Sequence, residues 1–493
     1  MNRKIDIVKT ALLSFLVCGT CLLSGCGAKT QPAAKSSAVS PAASSSSSSS
    51  QQQSKVSLTL ADASGAAQAK VSDNIIGQFE TYANLNIDYQ SYPDGYRSYI
   101  KSVLGTDKCP DIYVATLNDA IEDYNAGYLY NFNDVIGRTN IYDSGKPWKD
   151  TLPKSMLERM YITENEIPGF PTTTNAARIY YNKDIFTNAG IKAPETWDEF
   201  ISSCETLQKS GITPFAFPNS SDTDCAWAWF GNNIANQLTP DIIKTMDVSK
   251  NGFVEPAEVA KAYDSGTLSM TDESFATGYG LMREFSKYWE PNYNSVNYNQ
   301  AIDMFSSGNA AMSIFTTNDY DKVNSKIKGA FALGVMPIPV ITKKIYPKAL
   351  GKPVLCGGQP DYIYCISKTA AEDSKKFKAA IDFLQYMTSS AVESELAKDI
   401  YRVPLAVDAK QPDGIDGFKI TEEPERINYF SAISEDMRSK YYEGGKTFLS
   451  GGYTIEDFEK YMTTVYSSAI KASEDKNGWS KDNNYGLQPE SAR

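Results

Sequence analysis

The chain has 493 residues, and its 48 basic and 59 acidic side chains give a net charge of −11, which argues against nucleic acid or anionic lipid surfaces as partners. It contains no histidine. This excludes the serine and cysteine triads built on histidine and removes the commonest transition-metal ligand, so most familiar hydrolase chemistry is excluded as well.

The first 25 residues are arranged like a signal peptide. Basic residues at positions 3, 4 and 9 precede a mostly apolar run at residues 11–23, which is shorter than the roughly 20 residues that a transmembrane helix needs. Residues 23–26 read Leu-Ser-Gly-Cys and resemble the lipobox of bacterial lipoproteins. The resemblance implies cleavage before Cys26, lipid on its sulfur and a place on the extracellular face of the cell membrane. An ordinary secretory signal with incidental cysteines is the alternative.

Residues 26–54 are predicted to be a lipid-anchored, disordered linker. They are almost entirely Ala, Ser, Pro, Gln and Lys, with serine at every position from 44 to 50, and such a segment has nothing to bury. As a flexible coil it spans on the order of 30 Å. The globular part is expected to begin near Lys55 and is long enough for two or three domains. After cleavage Cys26 is lipidated, and an odd number of other cysteines remains, which excludes a dense disulfide framework.

The segment after residue 55 alternates between strand and helix patterns. Apolar residues at 56, 58 and 60 predict a strand, a helix follows to about residue 82, and alternation at 85, 87 and 89 predicts a second strand. A helix over residues 96–104 leads to an apolar strand at 112–115. This order predicts a parallel sheet in an α/β fold.

Later elements continue the α/β pattern. A strand is predicted at residues 179–181, and Thr196 with Glu199 predicts a capping box at the start of the next helix. Apolar residues at 197, 200, 201, 204 and 207 fall on one face of that helix, so Cys204 is expected in the core. A strand at residues 362–366 and a helix from Phe377 follow.

A set of aromatic, glycine and polar positions recurs in a fixed order along nearly the whole chain after residue 54. Each match alone is weak, but their order and spacing are specific. Together they are similar to the extracellular solute-binding proteins of ABC importers, in the large family that binds oligosaccharides. The positions are Pro110, Asp111, Gly127, Leu129, Gly169, Phe170, Pro171, Ile179, Tyr180, Tyr181, Asn182, Lys183, Asp184, Ile185, Phe186, Ala189, Gly190, Pro194, Thr196, Trp197, Asp198, Glu199, Phe200, Phe305, Gly308, Ala311, Met312, Pro337, Pro339, Gly357, Gly358 and Phe377.

The resemblance implies an α/β protein with a two-lobe periplasmic-binding-protein-like fold of the class II type and a ligand cleft between the lobes. The expected N-terminal lobe comprises residues 55–173 and about 357–395, and the C-terminal lobe comprises residues 174–356 and about 396–493. Physical reasoning favours the same place, because ligands of open α/β sheets lie beyond the carboxyl ends of the strands. We expect a hinge motion to trap the ligand.

Candidate polar contacts to a ligand follow from the resemblance. Sugars present hydroxyl edges and flat C–H faces, so their sites combine amide or carboxylate groups with exposed aromatic rings. Carried over by position, the contact after the Pro-Asp strand falls on Asn118, with Asp119 beside it, and another contact falls on Asn175. A turn or cap role is the alternative for both asparagines.

The aromatic residue that follows the Ala-Met motif in relatives corresponds to Asn318 here, with Asp319 and Tyr320 next to it. All three are candidates. The departure from the family pattern leaves open whether a stacking ring is retained at this place by Tyr320.

Further candidates lie in three other segments. Trp227 and Trp229 belong to an aromatic cluster, and one of them is expected to stack on the ligand, while a helix core is the alternative. Gln359 and Asp361 precede a strand that returns through the hinge and are placed to reach the cleft. Arg402 is another cleft candidate in the family, or else a solvated surface cation.

Two acidic patterns have simpler explanations than a catalytic or metal site. One has the spacing of a calcium loop, but its third and fifth positions lack the usual acids, so a polar turn remains the alternative. Acid pairs at residues 164 and 166 and at 422 and 423 are compatible with two-carboxylate glycosidase chemistry or with solvated surface charge. The loop positions are Asp247, Ser249, Asn251, Gly252, Glu255 and Glu258.

The sequence as a whole predicts a lipid-anchored binding protein rather than an enzyme. We expect it to capture a neutral mono- or oligosaccharide and to deliver it to the permease subunits of an ABC transporter, as a monomer without cofactor, metal or nucleic acid. An exported two-carboxylate glycosidase and a surface receptor for a non-sugar ligand are the alternatives. The particular sugar is not predicted, because specificity depends on side chains in loops rather than on the fold.

Overall fold

A computed structural model describes residues 55–163, 165–221, 225–250, 252–411, 416–434 and 436–487. The predicted signal peptide, Cys26 and the linker lie outside the described residues. The side chains at positions 67, 359, 361 and 416 lie outside the description as well. Within the described ranges, no helix combines the length and the apolar character that crossing a membrane requires.

Strands and helices alternate over the first third of the described chain, and helices dominate the rest. The strands are β1 (Ser57–Asp62), β2 (Asn86–Ser91), β3 (Ile112–Ala115), β4 (Phe170–Asn182), β5 (Phe215–Ala216), β6 (Met312–Thr316), β7 (Leu333–Met336), β8 (Val354–Leu355), β9 (Gly357–Ile366), β10 (Val403–Pro404) and β11 (Glu423–Pro424). The helices are α1 (Ala66–Ala83), α2 (Tyr96–Val103), α3 (Leu117–Asn125), α4 (Lys154–Met160), α5 (Lys183–Asn188), α6 (Trp197–Lys209), α7 (Asn232–Leu238), α8 (Pro240–Met246), α9 (Pro256–Asp264), α10 (Glu273–Ser286), α11 (Tyr298–Ser306), α12 (Tyr320–Ile327), α13 (Lys368–Glu372), α14 (Ser374–Met387), α15 (Ser390–Ile400), α16 (Asp436–Leu449) and α17 (Ile455–Asn477).

One mixed sheet runs through both halves of the fold. Its strand order is β2-β1-β3-β9-β4-β6-β5, and β7 and β10 also pair with β4. Strand β1 pairs in parallel with β2 and β3, as the sequence predicts, whereas β9 and β4 are antiparallel to their neighbours β3 and β6 and to each other. The pairing of β4 with β9 contains register shifts between residues 171 and 176.

The apolar residues divide into two large cores. One is built from residues 58–170 and 363–405, and the other from residues 177–356 and 427–485. Strand β4 passes between them, because Phe170 belongs to the first core and Ala177 to the second. The molecule is therefore an α/β protein of two lobes whose central strands are shared.

The strongest local predictions agree with the structure. Strand β3 spans the predicted residues 112–115, and Thr196 caps α6 with the reciprocal hydrogen bonds of a capping box. Cys204 is fully buried, as predicted. Strand β4 is longer than the predicted residues 179–181, because buried threonines at positions 172–174 interrupt the apolar pattern that marks a strand.

Candidate functional site

The carboxyl end of β3 leads directly into the first predicted contact. Thr116 caps α3, where its hydroxyl oxygen accepts a hydrogen bond from the backbone N–H of Asp119 at 3.2 Å and its O–H donates to the Asp119 carboxylate at 2.8 Å. This cap leaves Asn118 exposed on the first turn of the helix. Asn118 is thus accessible at a strand end, as the sequence predicts, whereas Asp119 also has a capping role.

Arg97, which the sequence analysis missed, fixes the Asp119 carboxylate from α2. Its Nε lies 2.8 Å from Asp119 Oδ1, and its Nη1 lies 2.7 Å from Asp123 Oδ2. A third carboxylate, that of Glu122, lies 3.1 Å from Nη2. The guanidinium is therefore surrounded by negative charge, and Asp119 is held in one orientation beside the strand end.

A cavity of about 330 Å³ opens at this edge of the sheet. It lies between the ends of β1 and β3, helix α2 and strand β9, which is where an open α/β sheet places its ligand. Two tyrosine rings contribute to its wall. The lining residues are Ala63, Tyr96, Arg97, Ile100, Val114, Ala115, Thr116, Asp119 and Tyr362.

Arg402 lies behind Tyr362. Its guanidinium carbon is 4.9 Å from the centre of the Tyr362 ring, and its Nη2 donates to Gln68 Oε1 at 2.6 Å. The side chain is 9% exposed, so the surface-cation alternative is wrong. Burial lowers the pKa of Arg402 to about 10, although the nearby Asp62 carboxylate raises it. Arg402 thus supports the wall of the cavity in the N-terminal lobe.

The two lobes meet at Asn175 in the middle of β4. Asn175 pairs with Gln359 on β9, and two residues later Ala177 pairs with Thr316 at the end of β6. The Thr317 hydroxyl donates to Asn175 Oδ1 at 2.9 Å. This contact joins the crossing strand to the turn that follows β6. The Gln359 and Asp361 side chains lie outside the described residues.

The turn after β6 is a short 3-10 helix, Thr317–Asp319, that presents Asn318 half-buried. Asp319 caps this turn: its Oδ2 accepts from the Thr316 backbone N–H at 3.2 Å and from the Tyr298 hydroxyl at 2.7 Å. The carboxylate therefore has structural partners on two sides. Asp319 therefore has a structural role in this turn, and Asn318 stays a predicted ligand contact.

Tyr320 belongs to a separate aromatic cluster. Its ring centre lies 5.0 Å from that of Tyr401 and 5.3 Å from that of Phe418. Burial raises the pKa of the Tyr320 hydroxyl. Two neighbouring rings thus occupy the surroundings of Tyr320, and it is a weaker stacking candidate than Trp229.

The two candidate tryptophans lie on opposite sides of a π-helix, Ala226–Gly231. Trp227 is 2% exposed and packs against Tyr441, with ring centres 5.6 Å apart, and against Phe458 at 5.3 Å. Trp227 is therefore a core residue and not an exposed stacking ring. Trp229 is half-buried, and its indole meets the Tyr298 ring edge to face at 6.0 Å and 87°. Two residues along a helix face in nearly opposite directions, so Trp229 is less buried than Trp227, although it also packs against the same core.

The calcium-like loop is held by its own backbone. The Glu258 carboxylate accepts from the backbone N–H groups of Ser249 at 2.7 Å and Glu255 at 3.0 Å, and Asp247 accepts from Gly252 at 3.0 Å. Burial raises the pKa of Glu258. Asn251 lies outside the described residues. Hydrogen bonds from carboxylates to nearby backbone N–H groups are typical of a polar turn, which was the alternative to a calcium loop.

Comparisons with known proteins agree with this architecture. Residues 59–393 match the family model described as bacterial extracellular solute-binding protein. The multiple sugar-binding protein of Streptococcus mutans is 24% identical over 69% of this chain and 72% of its own length. The sn-glycerol-3-phosphate-binding periplasmic protein UgpB of Brucella melitensis is 21% identical over 49% of each chain. The apo-form of RafE from Streptococcus pneumoniae superposes with a TM-score of 0.64 at 18% identity, covering 85% of this chain and 98% of that one.

Proposed function

We propose that this chain, which belongs to the bacterial extracellular solute-binding proteins, captures a neutral sugar or oligosaccharide and delivers it to the permease of an ABC transporter. The single observation that carries the proposal is the partly exposed Trp229, linked through Tyr298 to the turn that bears Asn318. A flat ring suits the C–H faces of a sugar, and an amide group suits its hydroxyl edges. The sugar-binding relatives support this substrate class.

The charge at the N-terminal part of the site favours a neutral ligand over a phosphate ester. Arg97 lines the cavity, but Asp119, Glu122 and Asp123 already surround it. The guanidinium charge is thus offset by three nearby carboxylates, so an anion in the cavity gains little net attraction from Arg97. A sugar hydroxyl, in contrast, donates readily to a carboxylate oxygen.

The proposed ligand contacts come from both lobes. The N-terminal lobe, residues 55–173 and about 357–395, contributes Asn118, and Arg402 supports its cavity wall. The C-terminal lobe, residues 174–356 and about 396–493, contributes Trp229 and Asn318. The separate apolar cores of the described residues support two lobes, although Leu396 and Leu405 pack in the first core and not in the second. Asn175, Gln359 and Asp361 lie on the crossing strands β4 and β9 and are the proposed contacts between the two lobes.

The proposal includes export and lipid attachment at Cys26, with residues 26–54 as a flexible leash on the extracellular face of the membrane. Exported proteins of this family work outside the cell, which supports the location. A tether keeps a monomeric receptor near its permease and raises the effective concentration of the pair. Metabolic labelling with a fatty-acid analogue, compared between the wild type and Cys26→Ser, tests the attachment.

Calorimetric titration of the purified protein against a sugar panel tests the binding function. The panel contains raffinose, melibiose, xylobiose and chitobiose, with sn-glycerol 3-phosphate as the anionic comparison. We expect reversible binding of at least one neutral sugar, which chromatography recovers unchanged. Product formation instead refutes a binding-only role and favours the glycosidase alternative. Binding of the phosphate ester alone refutes the neutral substrate class.

Substitution of Trp229 tests the stacking contact by itself. Of the 6 tryptophans, Trp229 and Trp479 are partly exposed and the others are buried. Trp229→Ala is expected to weaken sugar affinity by about 0.5 to 1.5 kcal/mol or more through the lost stacking, with the fold retained. Trp479→Ala is the matched control and leaves the affinity unchanged. Equal affinities of both variants and the wild type contradict the stacking role.

A further inference from the structure

Tyr298 contacts both parts of the proposed sugar-binding face in the C-terminal lobe, which are the Trp229 ring and the turn that carries Asn318. It is the first residue of α11, and its ring packs edge to face against two rings. These are the Trp229 indole at 6.0 Å and 87° and the Phe315 ring at 5.6 Å and 81°. Phe315 is fully buried, so it gives the tyrosine ring a fixed support from the core.

The hydroxyl of Tyr298 makes a second set of contacts. It donates to Asp319 Oδ2 at 2.7 Å and accepts from the Thr316 backbone N–H at 2.9 Å. Thr316 is the last residue of β6 and Asp319 belongs to the turn that follows it, whose Thr317 also donates to Asn175 at 2.9 Å. Burial and the adjacent carboxylate raise the pKa of Tyr298 well above its ordinary value, so the hydroxyl stays neutral and remains a donor.

We propose that Tyr298 is a positioning residue, which couples the orientation of the Trp229 ring to the orientation of the turn that carries Asn318. The inference rests on the proposed function, since it assigns one side chain the alignment of the stacking ring with the polar contacts. A ring held edge-on in advance loses less conformational freedom when the ligand binds. The same tyrosine aligns both groups, so removing its ring affects them together.

The orientation of Trp229 can be measured without ligand. In a Trp479→Phe background, Trp229 is the main tryptophan that a small quencher reaches. We expect Tyr298→Leu to raise the acrylamide quenching constant by about twofold, because the indole loses its edge support. Tyr298→Phe keeps the ring and is expected to restore the wild-type value. Tyr263 donates its hydroxyl to the Thr463 backbone oxygen at 3.2 Å, away from this face, and Tyr263→Leu is the matched control.

A double-mutant comparison then tests the coupling during binding, with raffinose as the first probe and the panel sugar of highest affinity if raffinose does not bind. Tyr298→Leu is expected to weaken binding about tenfold in the wild-type background and by a clearly smaller factor when Trp229 is already alanine, because only the contact through the turn is then left to lose. Equal losses in both backgrounds overturn the inference, and so does an unchanged quenching constant. If no sugar binds but quenching still rises, the proposed function fails while the positioning role stands. Thermal unfolding of each variant identifies a loss that comes from misfolding.

Discussion

The buried carboxyl group of Glu425 is expected to make the stability of the fold depend on pH. It follows β11, and its carboxylate accepts from the backbone N–H of Gly357 at 3.4 Å, where strand β9 begins. Arg159 of α4 donates to the backbone oxygen of Glu425 at 2.9 Å and to that of Gly358 at 3.2 Å. Burial raises the pKa of Glu425 to about 8 from the ordinary value of 4.5.

The direction of the effect follows from proton linkage. A carboxyl group with a raised pKa in the folded protein holds its proton there, while the unfolded chain releases it near pH 4.5. The contribution of Glu425 to the free energy of unfolding is therefore complete below pH 4.5, falls between pH 4.5 and about 8, and is constant above that. The full change corresponds to roughly 5 kcal/mol as an upper value.

The perturbation is Glu425→Gln, which cannot ionise. We expect the variant and the wild type to unfold at similar denaturant concentrations at pH 5, with the variant gaining several kcal/mol relative to the wild type by pH 8.5. Urea titrations followed by circular dichroism measure the difference. Glu423→Gln is the control, since that side chain is 41% exposed on the same strand. A constant difference between Glu425→Gln and the wild type across this pH range refutes the reasoning.

Three further substitutions separate structural from binding roles. Trp227→Ala is expected to lower the free energy of unfolding by about 3 to 5 kcal/mol, measured by urea titration, because it empties a packed aromatic core. Glu422→Gln leaves Arg178, its partner at 3.0 Å, buried without a compensating charge, and a similar loss of about 3 to 5 kcal/mol is expected in the same assay. Asn175→Ala removes the acceptor of the Thr317 hydroxyl, and calorimetry is expected to show sugar affinity reduced by about 1 kcal/mol or more.

Local features of the chain are predictable because a few neighbouring residues decide them. The capping box at Thr196 and the apolar strand at residues 112–115 are read directly from their own sequence and are confirmed. Trp227 and Trp229 are a partial case. Their spacing shows that one faces inward, but only the packing of Tyr441 and Phe458, from the far end of the chain, decides which one.

The missed residues owe their roles to contacts between distant segments. The proposed positioning role of Tyr298 depends on its contacts with Trp229 and Asp319, which are distant in the chain. The residues around position 298 form no pattern that predicts these contacts. The position of Thr317 near the site could have been predicted, since Thr317 directly follows a strand end at the sheet edge where ligands bind. Arg97 lies on a helix whose sequence gives no sign that three carboxylates of α3 surround it.

The shared sheet has a mechanical consequence. Strands β4 and β9 form one hydrogen-bonded ladder that runs from lobe to lobe, and its register shifts fall between residues 171 and 176. A closing movement must therefore twist a continuous ribbon at its irregular stretch, where fewer regular hydrogen bonds resist torsion. We expect such a ribbon to act as an elastic hinge that resists closure and favours reopening once the ligand leaves.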